Sequence, residues 1–94
     1  MPQRLEVTCI NKSDRQNPHE RILSIGGART GTRWKFRQMD AIGYINSKRF
    51  EFFVNQGGRT IDVVVAISRF GHKYLKTVAD GEQPDNLLSL PECP

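Results

Sequence analysis

Apolar and polar residues alternate at the start of the chain. Leu5, Val7 and Cys9 are separated by Glu6 and Thr8, a period of two that predicts a strand with one buried face. Residues 11–19 are polar apart from Pro18 and rich in turn formers, which marks a connecting loop. Arg21–Ile25 predicts a second short strand, ended by Gly26 and Gly27. Residues 28–36 are basic and broken by glycine, so an exposed loop leading into a helix is expected there. From about Arg37 to Ser47 the spacing becomes helical. Met39, Ile42 and Ile45 recur every third residue, Phe36 extends the stripe, and Arg37, Asp40 and Tyr44 fall on the opposite face. Gly43 costs this helix about 1 kcal/mol relative to Ala, so the helix needs a sheet to pack on.

Beyond the helix the period returns to two. Phe50–Asn55 and Thr60–Ser68 read as strands, joined by a hairpin at Gly57-Gly58, where glycine reaches the positive φ that tight turns require. Val64 and Ala66 make the second face of 60–68 apolar as well, which predicts a central strand. Phe70-Gly71 offers the next turn and residues 72–77 the last strand. In the tail, Asp85 can cap a single helical turn, and Leu87, Leu88 and Leu90 are expected to fold back over an open part of the core. The order β-β-α-β-β-β predicts an α+β fold. It would be one domain over residues 1–94, a mainly antiparallel sheet of four or five strands with one helix on one face, and residues 80–94 packed back on the body.

Charge changes this picture along the chain. Residues 1–79 carry 14 bases and 6 acids, a net +8, whereas residues 80–94 carry 4 acids and no base, a net −4, which together give the overall +4. The body is basic and the tail acidic, so the tail's position decides how much positive surface is open. The longest aliphatic run, Val63–Ile67, is far short of the ~20 residues a membrane helix needs. Residues 1–7 lack the apolar run of a signal peptide, which points to the cytoplasm. Cys9 and Cys93 stand at opposite ends of the chain and are expected to be two reduced thiols, and the Asn11-Lys12-Ser13 sequon is then only a loop sequence.

The second half carries a family pattern. Trp34 before the helix, Ala41-Ile42 inside it, Phe52-Phe53-Val54, and Tyr74-Leu75-Lys76-Thr77 followed by Asp80-Gly81 are its first parts. Asn86-Leu87-Leu88-Ser89-Leu90-Pro91-Glu92-Cys93 completes it. Over roughly residues 20–94 these resemble the bacterial family catalogued as domain of unknown function 3892. The resemblance implies a small bacterial or phage-borne single-domain protein and supplies no catalytic residue. One departure is Arg37 at the start of the helix, where Ser, Thr or Asp is the expected cap.

The candidate chemistry centres on residues 29–37. Arg29, Arg33, Lys35 and Arg37 are interleaved with Trp34 and Phe36, so the cations could meet phosphates while an aromatic stacks on a base. Equally, Trp34 and Phe36 could anchor the core while the cations form a solvated rim. A second candidate surface, for protein contact, is Arg37, Asp40 and Tyr44 on the outer helix face. Gly26–Thr32 imitates a phosphate loop, but Thr32 stands where its Lys is needed. His19, His72, Cys9 and Cys93 have no zinc-type spacing, and no catalytic motif is present, so neither metal, cofactor nor catalysis is expected. The sequence therefore favours a non-catalytic binding or regulatory protein acting through protein–protein contact, with nucleic-acid binding through loop 29–37 as the alternative.

Overall fold

The computed structural model describes residues 3–13, 22–29, 31–78 and 85–93. Most of the expected 11–19 loop lies outside them, as does Thr30. The strand expected from Leu5 to Cys9 is two strands, β1 (Gln3–Glu6) and β2 (Cys9–Lys12). The chain changes sheet between them, and consecutive amides show where: Val7 N–H donates to the Phe53 carbonyl at 2.8 Å, and Thr8 N–H to the Gly26 carbonyl at 2.9 Å. Leu5 and Val7 are buried as their alternation requires, but the phase then breaks and Ile10 is buried in place of Cys9.

Gly26 and Gly27 do not end the second strand. β3 (Ile22–Arg29) runs through both, and the expected loop is its antiparallel partner β4 (Thr32–Arg37). The physical reason is close approach. A Cβ on Gly27 would run into the Glu6 carbonyl oxygen and lie 3.0 Å from the Trp34 ring, and one on Gly26 would lie 2.9 Å from Cys93 Sγ. The glycines mark the place where β1 and the C-terminal segment press on β3.

Helix α1 (Gln38–Asn46) follows β4 directly. Arg37 is its N-cap, extended and without a side-chain capping bond, as its departure from the family pattern implies. Ala41 and Ile42 are buried, whereas Met39 of the expected apolar stripe is 69% exposed. β5 (Phe50–Gln56) and β6 (Arg59–Ile67) form the expected hairpin, with Gly57 and Gly58 at φ of 57° and 83° between paired Gln56 and Arg59. β7 (Lys73–Thr77) completes a sheet of order β1-β5-β6-β7, in which β6 is internal and only the β1–β5 pair is parallel. The other sheet is β2-β3-β4, all antiparallel. The α+β class and the antiparallel bias are as the sequence predicts, but the single sheet is two, because β1 and β2 divide between them. Gln38 Oε1 accepts from Leu75 N–H at 3.0 Å, satisfying a β7 donor from the start of α1.

The core gathers Leu5, Val7, Ile10, Ile22, Ile25, Phe52, Val54, Val63 and Leu75, closed from the helix side by Ala41 and Ile42. The single turn α2 (Asp85–Leu88) brings Leu87 into it with no exposed surface, and Leu88 and Leu90 pack alongside. The segment then runs beside β2. Ile10 N–H donates to the Pro91 carbonyl and Cys93 N–H to the Ile10 carbonyl, both at 3.0 Å. Asn11 Nδ2 donates to Glu92 Oε2 at 3.1 Å. The expectation of two reduced thiols is overturned: Cys9 and Cys93 form a disulfide, with Cα atoms 4.9 Å apart. Sequence spacing hid the pair because the fold itself brings the chain ends together. Among the described residues no helix is long and apolar enough to cross a membrane.

Candidate binding face

Alternation along β4 separates the candidate residues by chemistry. Arg33, Lys35 and Arg37 project from one side and are exposed, while Trp34 and Phe36 project from the other and are half-buried. The aromatic side packs against the core. Trp34 lies 5.3 Å from Phe36 and 5.6 Å from Phe52 between ring centres, and Phe36 lies 5.7 Å from Phe50. The side chains of Arg33, Lys35 and Arg37 thus project from the side of the strand opposite Trp34 and Phe36, and Trp34 meets Arg33 and Lys35 only at the edge, in a cavity of about 200 Å³ beside Cys9 and Cys93. Arg29 pairs across the hairpin with Thr32, on the aromatic side. It lines a cavity of about 220 Å³ together with Leu5, Trp34, Phe36 and Phe50. Three of the four cations therefore share a surface and the fourth does not.

Among the described residues, none of Arg33, Lys35 and Arg37 has an acidic partner. The described part of the acidic tail comes near Arg33 and Lys35, which line a cavity with Cys93, but its one carboxylate there comes near Arg33 alone. Glu92 and Arg33 line the same cavity of about 310 Å³, but the Glu92 carboxylate already accepts from Asn11. The cations Arg69, Lys73 and Lys76 belong to β7 and the turn before it, in the other sheet.

The helix-face candidates divide as well. Arg37 and Asp40 are exposed at the first turn of α1, but Tyr44 does not point outward. Its ring packs edge-on against Phe36 at 4.9 Å and Phe50 at 5.2 Å, with the Arg49 guanidinium 5.6 Å above it. An aromatic partner on β4 and another on β5 turned an expected contact residue into packing. Sequence reasoning also missed an ion cluster. Arg4 donates to Glu51 and to Asp62, each at 2.8 Å, and lies 5.1 Å over the Phe53 ring. Hydrogen bonds first to Asp62 and then to Glu51 raise the Arg4 pKa above its ordinary value. Register explains the cluster, since Arg4 pairs with Glu51, and Phe53 with Asp62, on adjoining strands.

β4 is the last strand of its sheet, so among the described residues no strand pairs with its outer edge. No group of three His, Cys, Asp or Glu side chains among them is placed to hold a metal ion. Trp34 Nε1 is buried and has no hydrogen-bond partner among the described residues.

No curated protein and no solved structure matches the chain. A family model described as protein of unknown function (DUF3892) does match, over residues 6–91, which takes in β2 to β7, α1 and α2. The chain belongs to that family.

Proposed function

We propose that this is a non-catalytic binding protein, of the bacterial or phage origin implied by the family resemblance, whose contact surface is β4. Its partner is an acidic segment of another protein added as a strand to the open edge. The observation that carries this reading is Arg33, Lys35 and Arg37, exposed at every second position of an edge strand. Such residues lie about 6.6 Å apart, and the side chains of an added strand recur at that spacing directly opposite them. A partner with an acid at alternate positions would place one carboxylate across each cation. Cross-strand opposite charges contribute roughly 0.2–1 kcal/mol a pair, so backbone hydrogen bonds supply the rest and affinity is modest. Trp34 and Phe36 are half-buried and packed against the core, on the side of β4 away from Arg33, Lys35 and Arg37, which favours this reading over single-strand nucleic acid, whose aromatic platforms stand exposed beside the cations. A non-catalytic role is supported by the paired carboxylates Glu51 and Asp62, which border a cavity of about 230 Å³ with both acids tied to Arg4.

The test is an amide-resonance titration with a soluble peptide alternating Glu and Val. Shifts centred on Arg33–Arg37, lost in Arg33→Glu with Lys35→Glu, support the proposal. Binding of an oligothymidylate instead, with affinity falling at a slope near −0.7 per phosphate in log salt, transfers the face to nucleic acid. If neither binds and the charge-reversed or neutral variant self-associates, the cations serve only to keep the edge from pairing with other copies.

A further inference from the structure

The disulfide lies among groups that neither the fold nor the binding face requires beside it. Cys9 and Cys93 are both partly exposed and line a cavity of about 200 Å³ with Gly27, Trp34, Arg33 and Lys35. Gly26 lies beneath them. A Cβ there would come within 2.9 Å of Cys93 Sγ and 3.1 Å of Cys9 Sγ, so the missing side chain lets both sulfurs settle against β3. The sulfurs are thus reachable from a cavity walled by two cations that have no acidic partner among the described residues. A nearby cation favours thiolate over thiol, and thiol–disulfide exchange runs through a thiolate attacker and a thiolate leaving group. Positive charge at the cavity also draws an anionic reagent.

The bridge has a mechanical consequence. It fastens the end of the tail to the start of β2, beside the Ile10–Pro91 and Cys93–Ile10 backbone bonds, and behind it Leu87 plugs the core. Cys9 belongs to β2 and remains near Arg33 when the bridge opens, whereas Cys93 travels with the tail.

We propose that Cys9–Cys93 is a thiol-exchange site for anionic thiols, and that its opening frees residues 89–93 from β2. A reductant thiolate attacks Cys93 Sγ; its new S–S bond forms as the Cys9–Cys93 bond breaks, and the electron pair leaves on Cys9 as a thiolate facing Arg33 and Lys35. A second reductant thiolate then attacks the reductant sulfur of that mixed disulfide. The reductant departs oxidised to its own disulfide, and the two electrons remain on the two cysteine sulfurs, which take their protons from solvent. This chemistry does not depend on the β4 partner proposed above.

The experiment measures reduction rates of the folded, oxidised protein with two probes, mercaptoethanesulfonate and neutral 2-mercaptoethanol, each rate corrected for its thiolate fraction. Trp34 is the single tryptophan and lines the same cavity, so its fluorescence reports the reaction. The anionic probe is expected to react about tenfold faster at low salt. That advantage disappears in high salt and in Arg33→Gln with Lys35→Gln; the 2-mercaptoethanol rate also falls in the variant, because the Cys9 leaving thiolate loses its cations, but by less than the rate of the anionic probe. After reduction by dithiothreitol, the Ile10 and Cys93 amides should exchange with solvent at least about tenfold faster while those within β5 and β6 stay protected. Equal rates for the two probes, an advantage unaffected by the double variant, or a bridge that reduces only in denaturant would each overturn the exchange site. Unchanged protection of Ile10 and Cys93 in the reduced protein, or equal loss of protection throughout the chain, would overturn release of the tail. Reduction rates are read on the oxidised protein, so the first arm stands even if the reduced form is unstable.

Discussion

Replacing Gly27 and Gly43 separately by alanine adds the same methyl group at two places where the structure demands opposite outcomes. At Gly27 the new Cβ runs into the Glu6 carbonyl oxygen and lies 3.0 and 3.1 Å from Trp34 Cζ2 and Cε2. The oxygen is backbone, so relief requires β1 itself to move. Overpacking of this kind costs about 1–3 kcal/mol, and a backbone obstacle puts it toward the upper end. The stiffer unfolded chain returns roughly 0.4–1 kcal/mol, leaving a net loss near 2 kcal/mol. For a domain of this size each kcal/mol moves Tm by about 4–8 °C, so Gly27→Ala should melt roughly 8–16 °C lower. Gly43 lies in α1, exposed, with nothing within 4 Å of an added Cβ. Alanine there gains about 0.8–1 kcal/mol of helix propensity and should raise Tm by about 4–8 °C. Thermal unfolding followed by circular dichroism, without reductant, measures both. A Gly27→Ala protein melting within about 2 °C of the parent would show that β1 does not cross β3 there. A lower Tm for Gly43→Ala would show that this face of the helix is occupied.

Leu87→Ala should cost about 2–5 kcal/mol in chemical denaturation, because the side chain is fully buried against both sheets; a loss below 1 kcal/mol would mean that the tail is not docked. Replacing both cysteines by serine should lower stability by about 2–5 kcal/mol, since the bridge closes a loop between residues separated by 84 positions; equal stability of the parent and the double variant under oxidising conditions would contradict the bridge. Trp34→Phe is expected to stay within about 1 kcal/mol of the parent, since the lost ring area is offset by removing a buried donor that has no partner; a loss above 3 kcal/mol would mean that Nε1 is satisfied.

What could be read from the residues was local. The Gly57-Gly58 hairpin, the helix after Arg37, the internal β6 and the α2 turn are each specified by neighbours a few positions away, through turn chemistry or period. The charge division between body and tail was legible too, because it is a property of composition. The β3–β4 hairpin was obscured by its own function-like pattern. Cations alternating with aromatics across a glycine-rich stretch read as an irregular loop, although period-two alternation is what a half-buried strand requires.

Tertiary structure alone decided the rest. Gly26-Gly27 carries an ordinary turn signal, and only the passage of β1 and the tail over β3 makes it a crossing point. Met39 and Tyr44 exchanged roles because the aromatic rings of β4 and β5 lie beside one edge of α1. The cations of β4 share a face because strand geometry sorts them from Trp34 and Phe36. Cys9 and Cys93 meet because a leucine-anchored tail returns along β2, and no local pattern encodes a contact between residues separated by 84 positions. By itself the sequence determined which segments are strand, helix or turn wherever the deciding forces act between near neighbours. Where distant backbones cross or chain ends meet, packing of the whole core decided, because those contacts exist only once it has formed.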